Sequence, residues 1–410
     1  MSNIVRSNIF EKYRGMSPYL KIGEDEWKDI MTSYEKDVIL EDISEILLEY
    51  GAPIPNITEK EIQINFTKLK QVRWEDVLVE GDWFPRNDTK SRYSLSYQEI
   101  PMYFKRVNIG NNASNPFHIE NRWKVDHIRS ISGWKAWQTK EGIKTVVRAF
   151  FTLDKVLLGV NEETLRMATT LRKYIASQFK PVIAKSLYDM FQSKNVLDFS
   201  AGWGDRLCGF FTSNHGQHYV GIDPNISNHV GYKNQIEFYS KHRTFFETIK
   251  TAEMIPQAAE DVDYSKYVNF FDTIFTSPPY FNTEKYSQDD TQSWVRYGDI
   301  DRWNKEFLHK TIDKIIPTLK ENGILAINIA DVFNAKIDGY VDITNAMNDF
   351  IQSKGLVYQG CIGMAMSKRL NSGGAGKAKS DYFDDTLLQK AKDNEKITFG
   401  EPIWIWKKTT

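Results

Sequence analysis

From about residue 166 onward, short apolar runs recur between segments long enough to be helices. That rhythm constrains the fold more than any other feature of the chain. The runs are Val196-Leu197-Asp198-Phe199, His218 to Asp223, Phe245 to Thr251, Phe271 to Phe275, Gly323 to Ile329, Leu356 to Gly363, and Pro402-Ile403-Trp404-Ile405-Trp406. The first five are separated by helix-length segments and loops, which predicts βα units and a mostly parallel sheet. The last two lack a clear crossover helix between them, so a closing hairpin is expected. The reading is an α/β domain over 166–410 built on seven strands.

Residues 1–165 read as a separate, mixed α+β domain. Val38, Ile39, Ile43, Ile46, Leu47 and Tyr50 fall at helical spacings, and Gly51-Ala52-Pro53 stops that helix. Trp134 to Thr139 and Gly142 to Phe150 read as a hairpin turning at Lys140-Glu141-Gly142. Between Arg86 and Phe150 there are 12 Lys/Arg against 5 Asp/Glu, while Met1 to Asn65 carries 7 against 13. A basic segment with Trp74, Trp83, Trp123, Trp134 and Trp137 in and around it suits nucleic-acid recognition, by phosphate contacts and base stacking. The alternative is solvated charge around ordinary core aromatics.

The whole chain has 410 residues and a formal net charge of −1, so it has no overall commitment to a polyanion. It contains two cysteines, Cys208 and Cys361, both in apolar segments, which suits buried small side chains rather than a disulfide framework. His215, His218, His229 and His242 match no zinc spacing, and no metal is expected. There is no signal-peptide stretch at the start and no apolar run of membrane-spanning length, so a cytoplasmic location is expected, or a nuclear one in a host with a nucleus.

In an open α/β sheet, ligands bind beyond the carboxyl ends of the strands. Asp198-Phe199-Ser200-Ala201-Gly202-Trp203-Gly204 follows the first strand, and its two glycines permit a tight turn and a close backbone approach. The third glycine of the dinucleotide fingerprint is missing because position 207 is Leu, which favours a nucleoside cofactor without phosphates. Asp223 ends the second run, where a carboxylate can accept hydrogen bonds from two ribose hydroxyls. Thr251-Ala252-Glu253 ends the third and could meet an adenine edge. After the fourth comes Ser277-Pro278-Pro279-Tyr280. Its two prolines fix the backbone, so that one hydroxyl, unpaired carbonyls and an aromatic ring are held at the tip of a rigid loop.

This order of features resembles the S-adenosylmethionine-dependent amino-methyltransferases with the (Asp/Asn/Ser)-Pro-Pro-(Tyr/Phe/Trp) signature, closest to the DNA N4-cytosine and N6-adenine enzymes. Phe179-Lys180-Pro181-Val182, Asn322-Gly323-Ile324-Leu325 and Glu401-Pro402-Ile403-Trp404-Ile405 extend the resemblance over about 166–410. It implies a class I methyltransferase, Rossmann-like sheet and S-adenosyl-L-methionine as cofactor. It further implies cofactor contacts from Lys180, Pro181, Asp198, Phe199, Ser200, Gly202, Gly204, Asp223, Ala252 and Glu253. Two departures stand out. Trp203 occupies a place where the family usually has a small residue, and no large insertion separates the glycine turn from the Pro-Pro loop.

The implied chemistry is methyl transfer to an exocyclic base amine. Such an amine is a weak nucleophile facing a strong electrophile, so alignment matters more than a strong base. Ser277 and the Pro278 carbonyl can accept its two N–H groups, Pro279 stiffens the loop, and Tyr280 and Phe281 can stack on a base flipped out of a duplex. Ser in the first position favours cytosine N4 over adenine N6, and DNA is favoured over RNA, as in restriction–modification enzymes. An RNA base methyltransferase and a non-catalytic nucleic-acid-binding subunit are the rival readings. A glycine-rich connection carrying Lys368, Arg369, Lys377 and Lys379 would suit phosphate contacts, the alternative being an unstructured surface loop.

Overall fold

The computed structural model describes residues 7–85, 91–153, 156–244, 247–334, 339–366 and 398–409. Lys368, Arg369, Lys377 and Lys379 therefore lie outside the described residues. The chain divides into two compact units. One comprises Met1–Asn56, Ile119–Ser177 and Glu284–Tyr286; the other comprises Ile57–His118, Gln178–Thr283 and Ser287–Thr410. This division departs from a boundary at residue 165, because residues 57–118 cluster with the α/β unit. The basic stretch 86–150 is consequently shared between the two units.

The α/β unit is built on β1 (Asn195–Asp198), β2 (His218–Ile222), β3 (Thr251–Ile255), β4 (Phe271–Thr276), β5 (Leu319–Asn328), β6 (Leu356–Ala365) and β7 (Phe399–Lys408). They lie in the order β6-β7-β5-β4-β1-β2-β3. Pairings among β1 to β5 are parallel, while β7 runs antiparallel between β5 and β6. The chain switches direction across the sheet between β1 and β4, as in doubly wound folds. With β7 inserted, the sheet is the class I methyltransferase arrangement, and β6 and β7 form the closing hairpin expected from their sequences. Residues 57–118 extend the sheet: Met102–Phe104 pairs with β6, Leu78–Glu80 pairs with Met102–Phe104, and Phe84–Pro85 pairs with β7.

Both faces of this sheet are covered, which explains why its strands read as near-continuous apolar runs. Successive side chains go to opposite cores. Val196, Phe275, Ala326, Ile403 and Ile405 join one cluster with Val182, Leu207, Phe210 and Tyr232. Leu197, Ile274, Leu325, Ile327, Trp404 and Trp406 join the other with Trp303, Leu308 and Ile312. The helices on the first face are α1 (Pro181–Met190), α2 (Asp205–Thr212) and α3 (Ile226–Lys241). Pro181 starts α1 at the position where a missing N–H costs nothing, and Asn225 caps α3 through Ser227 N. Cys208 and Cys361 are buried, one in each cluster.

Two expectations fail locally. The third strand is Thr251–Ile255 rather than Phe245–Thr251, placed by its register on β2, where Thr251 pairs with His218 and Ile255 with Ile222. Lys250, just before it, is drawn to the carbonyls of Phe210 (3.2 Å) and Phe211 (2.8 Å). The expected hairpin at 134–150 is instead two short helices, Gly133–Ala136 and Lys140–Val147. Ser132 and Thr139 cap them, and Ile143, Val146 and Val147 form one buried helical face. The β-branched residues that suggested strands serve helix packing there, and capping decides the outcome.

The other unit is helical. Its core joins Trp27, Ile39, Ile43, Ile46 and Leu47 to Ile143, Val146, Val147 and Phe150. The helix expected before Gly51 is Lys36–Tyr50, and Gly51 closes it at φ 75°. Across the two units, Trp83, Trp123 and Trp137 are buried, Trp74 packs against one core of the α/β unit, and Trp134 packs against the helical core. The buried three present no face for base stacking.

One carboxylate ties the centre of the sheet together. Asp198, fully buried at the end of β1, accepts from Arg206 Nε (2.7 Å) on α2, Tyr219 hydroxyl (2.7 Å) on β2 and Thr276 Oγ1 (2.8 Å) on β4. Ser200 N (3.2 Å) and Arg206 Nη2 (3.3 Å) complete its shell. Removing the cation would leave the anion buried and uncompensated. Arg206→Met is therefore expected to lower the folding free energy by about 3–5 kcal/mol, measured by urea denaturation; a loss below about 1 kcal/mol would show that the brace is not structural.

Candidate active site

The carboxyl ends of β1, β2, β4 and β5 gather the chemistry. After β1 the chain turns through Gly202 (φ 59°) and Gly204 (φ 67°), which occupy the left-handed region and start α2. A Cβ on Gly204 would lie 2.0 Å from Gln235 Oε1, so no side chain fits there. The turn is fixed from α3: Asn228 Nδ2 (3.1 Å) and the Tyr232 hydroxyl both donate to the Gly202 carbonyl. Gln235 donates to the Gly204 carbonyl (3.3 Å), and its own carbonyl meets His118 Nε2 (2.9 Å).

Asp223 follows β2 directly and is buried. Its Oδ2 accepts from Gly202 N (2.8 Å) and its Oδ1 from Asn225 N (2.8 Å). Burial pushes this carboxyl up to about 6, with the Asn225 and Gly202 N–H groups opposing the shift. Each carboxylate oxygen has about two acceptor positions, and the Tyr232 side chain also interacts with this carboxylate, so Asp223 keeps room for a further donor after these bonds. A ribose hydroxyl would fill such a position. The residues present therefore fit a nucleoside cofactor at this edge, beside a glycine turn in which Gly204 has no room for a side chain.

The remaining expected cofactor residues are placed unequally. Asp198 spends its lone pairs on five donors and has none left for a ligand. Phe199 is buried in the sheet's second core, so only its backbone can face the site. Ser200 is half-buried, and its carbonyl accepts from Arg206. Phe179 lies against Phe275 (5.7 Å between ring centroids) and beneath the Arg206 guanidinium (5.3 Å), which brings the start of α1 to the β1–β4 edge. Lys180 donates to Asn108 Oδ1 (2.7 Å), and Pro181 is buried at the start of α1. Ala252 and Glu253 do not reach the carboxyl edge, because β3 runs on to Ile255. Glu253 instead bonds Lys266 (2.8 Å) and the Tyr267 hydroxyl (2.7 Å). Pro256 and Gln257 hold the edge position beyond β3, where Asp223 N reaches the Ile255 carbonyl (3.1 Å).

Ser277-Pro278-Pro279-Tyr280 begins where β4 ends, immediately after Thr276, whose hydroxyl is held by Asp198. Ser277 Oγ lies 3.2 Å from Asn328 Oδ1 at the end of β5. The Tyr280 hydroxyl donates to Glu401 Oε2 on β7 (3.4 Å). Burial, with Glu401 beside it, pushes the Tyr280 phenol well above its usual range, so it stays neutral. Phe281 adopts φ 51°, rare for a bulky residue, and its ring packs against Trp303 (6.2 Å). Its packing serves the loop's shape more than an exposed stacking face.

Sequence reading missed Arg206, Tyr219 and Thr276, which brace Asp198, and Asn328 and Glu401, which orient the loop. Asn328 carried a signal: it is a polar residue ending the apolar run Ile324-Leu325-Ala326-Ile327. The others lie on elements whose adjacency only the folded sheet provides. Among the described residues, no helix is long and apolar enough to cross a membrane.

Among solved structures, the chain is similar to the N-methyltransferase NodS from Bradyrhizobium japonicum WM9, at 10% identity and a TM-score of 0.29 over 53% of this chain and 87% of that one. It is also similar to a SAM-dependent methyltransferase from Archaeoglobus fulgidus, at 13% identity and a TM-score of 0.31 over 56% and 95%. The fold assignment rests on strand order and not on these likenesses. No curated protein matches the sequence. Residues 271–406, from the start of β4 into β7, match the N6/N4 methyltransferase family described as DNA methylase. That segment, with the Ser-Pro-Pro-Tyr loop at its head, is similar to the DNA amino-methyltransferase family, whose methyl donor is S-adenosylmethionine.

Proposed function

We propose that this protein methylates an exocyclic amine of a DNA base, with cytosine N4 favoured over adenine N6. The observation that carries the reading is the Ser277 loop at the sheet's carboxyl edge, its hydroxyl bonded to Asn328, inside the segment that matches DNA methylases. In this reading, Asp223 receives the ribose hydroxyls and the Gly202–Gly204 turn lets the nucleoside approach the backbone. When bound, S-adenosylmethionine would supply an electrophilic methyl carbon for the amine nitrogen, with the neutral thioether as leaving group. Ser277 Oγ and the Pro278 carbonyl accept the two amine N–H groups and localise the nitrogen lone pair. The methylated nitrogen, briefly cationic and strongly acidic, loses its extra proton to water. The Tyr280 ring, anchored through Glu401, stacks on a flipped base. Ser at the head of the loop supports cytosine, as the family resemblance implies.

Incubation with labelled cofactor and separate DNA and RNA pools should place label in DNA, and nucleoside digestion should yield N4-methylcytosine. Label in RNA alone would replace DNA as substrate, N6-methyladenine would reverse the base assignment, and no label in either would end the catalytic reading. Tyr280→Ala should lower turnover by about tenfold or more with S-adenosylhomocysteine affinity nearly unchanged, since a stacking platform contributes roughly 1–3 kcal/mol per base.

The raised carboxyl of Asp223 also predicts a pH dependence. Below about pH 6 the group takes up a proton and loses an acceptor position, so cofactor affinity should fall as pH drops from 7 to 5. The limit is about tenfold per pH unit if only the ionised form binds. Folding stability should move the other way: a carboxyl raised above its unfolded value favours the folded state at low pH, and that contribution fades as pH rises through about 6. Calorimetry with S-adenosylhomocysteine would check the first effect, and Asp223→Asn should flatten it; an unchanged slope in that variant would place the titrating group elsewhere.

A further inference from the structure

Asn328 fixes the polarity of the substrate-facing hydroxyl. This amide sits at the end of β5 with 1% of its surface exposed. Its Nδ2 lies 2.9 Å from the carbonyl of Pro402 on β7, an oxygen that can only accept. The amide orientation follows: nitrogen toward Pro402, oxygen toward Ser277. The oxygen in turn carries no hydrogen, so across the 3.2 Å to Ser277 Oγ the serine must be the donor. A hydroxyl has one proton and two acceptor positions. The Tyr280 hydroxyl also neighbours Ser277, and its own proton is drawn to Glu401. With the serine proton on the Asn328 side, what Ser277 can offer a substrate is its remaining lone-pair capacity.

We propose that Asn328 is a positioning and specificity-determining residue that makes Ser277 an obligate acceptor, so that the site admits a base edge presenting an amine and rejects one presenting a carbonyl oxygen. This rests on the amine-methylation reading above and adds the residue that enforces it. A serine with a free rotor could donate to the O4 of uracil or thymine, or the O6 of guanine, as readily as it accepts from an amine. Held by Asn328, it would set its lone pairs against such an oxygen, an unpaired buried contact of the kind that makes polar sites selective. The device suits a family whose signature also admits Asp and Asn at this position. Asp needs no such help, since its ionised carboxylate only accepts.

The test is a double-mutant cycle on turnover, with S-adenosylhomocysteine affinity measured by calorimetry as the control for an intact site. The variants are Asn328→Leu, Ser277→Asp and the two combined, assayed on the DNA that the wild-type protein methylates. In the Ser277 protein, Asn328→Leu should lower kcat by about tenfold or more while S-adenosylhomocysteine affinity stays within about twofold. In the Ser277→Asp background the same change should lower kcat by less than about threefold, because a carboxylate needs no proton held away. Equal losses in both backgrounds would make Asn328 a packing residue and overturn the proposal. So would an undiminished kcat for Asn328→Leu, or a Ser277→Asp protein that binds S-adenosylhomocysteine but does not turn over. If Asn328→Leu loses S-adenosylhomocysteine binding, Asn328→Ala, which adds no bulk, takes its place in the cycle. A wild-type protein inactive on both DNA and RNA would overturn the amine-methylation reading itself and this inference with it. An active wild type with no coupling between the two positions would overturn this inference alone.

Discussion

A single buried carboxylate holds the working edge of this protein in register. Asp198 gathers Arg206 from α2, Tyr219 from β2 and Thr276 from β4, so three elements converge on two oxygen atoms. Taking an anion out of water costs several kcal/mol, and only a full set of donors offsets that cost. The same requirement makes the arrangement specific. If β4 slipped by one residue, Thr276 would point to the other face and the carboxylate would lose a partner. Because Ser277 follows Thr276 directly, the anchor that satisfies Asp198 also sets where the Ser-Pro-Pro-Tyr loop begins.

From that anchor the site is built by successive constraints, each closing a freedom left by the last. Two glycines give β1 its sharp exit, and Asn228, Tyr232 and Gln235 on α3 pin the carbonyls so exposed. The turn returns an N–H to Asp223, and Asn225 N meets the other oxygen of that carboxylate. On the other side of the switch point, β5 and β7 reach the loop through Asn328 and Glu401. The antiparallel β7 matters here. Its Glu401-Pro402 end runs beside the carboxyl end of β5, so that a β7 carbonyl and a β7 carboxylate meet side chains from β5 and from the loop. An all-parallel sheet would bring the amino end of its last strand to the opposite edge.

The sheet was legible because strands buried on both faces must be apolar at nearly every position, and such runs stand out against helical spacing. The glycine turn, Asp223 and the Pro-Pro loop were legible for a related reason: each uses a residue type whose backbone or charge has few other uses at a strand end. The failures also have physical causes. The segment 134–150 is rich in residues that favour strands, but Ser132 and Thr139 cap helices there, and a buried helical stripe outweighs intrinsic preference. The third strand was set four or more residues early because it is an edge strand with a mixed pattern, placed only by its register on β2. That shift carried Ala252 and Glu253 away from the edge they were expected to occupy.

The sequence alone determined the class of fold, the order of its strands along the chain, the Ser-Pro-Pro-Tyr loop after β4 and the carboxylate beside the glycine turn. These follow from local chemistry: periodicity, backbone restriction by proline and glycine, and a charge at a strand end. Only the tertiary structure decided that the Asp198 carboxylate braces three elements, that residues 57–118 extend the sheet, and that Asn328 and Glu401 bond the loop. Each of those depends on which strands become neighbours, and neighbours 51 to 121 residues apart leave no periodic trace in a single chain. The hydroxyl of Ser277 shows the division most simply. Its presence is written in the sequence, whereas the direction of its proton is set by an amide on another strand.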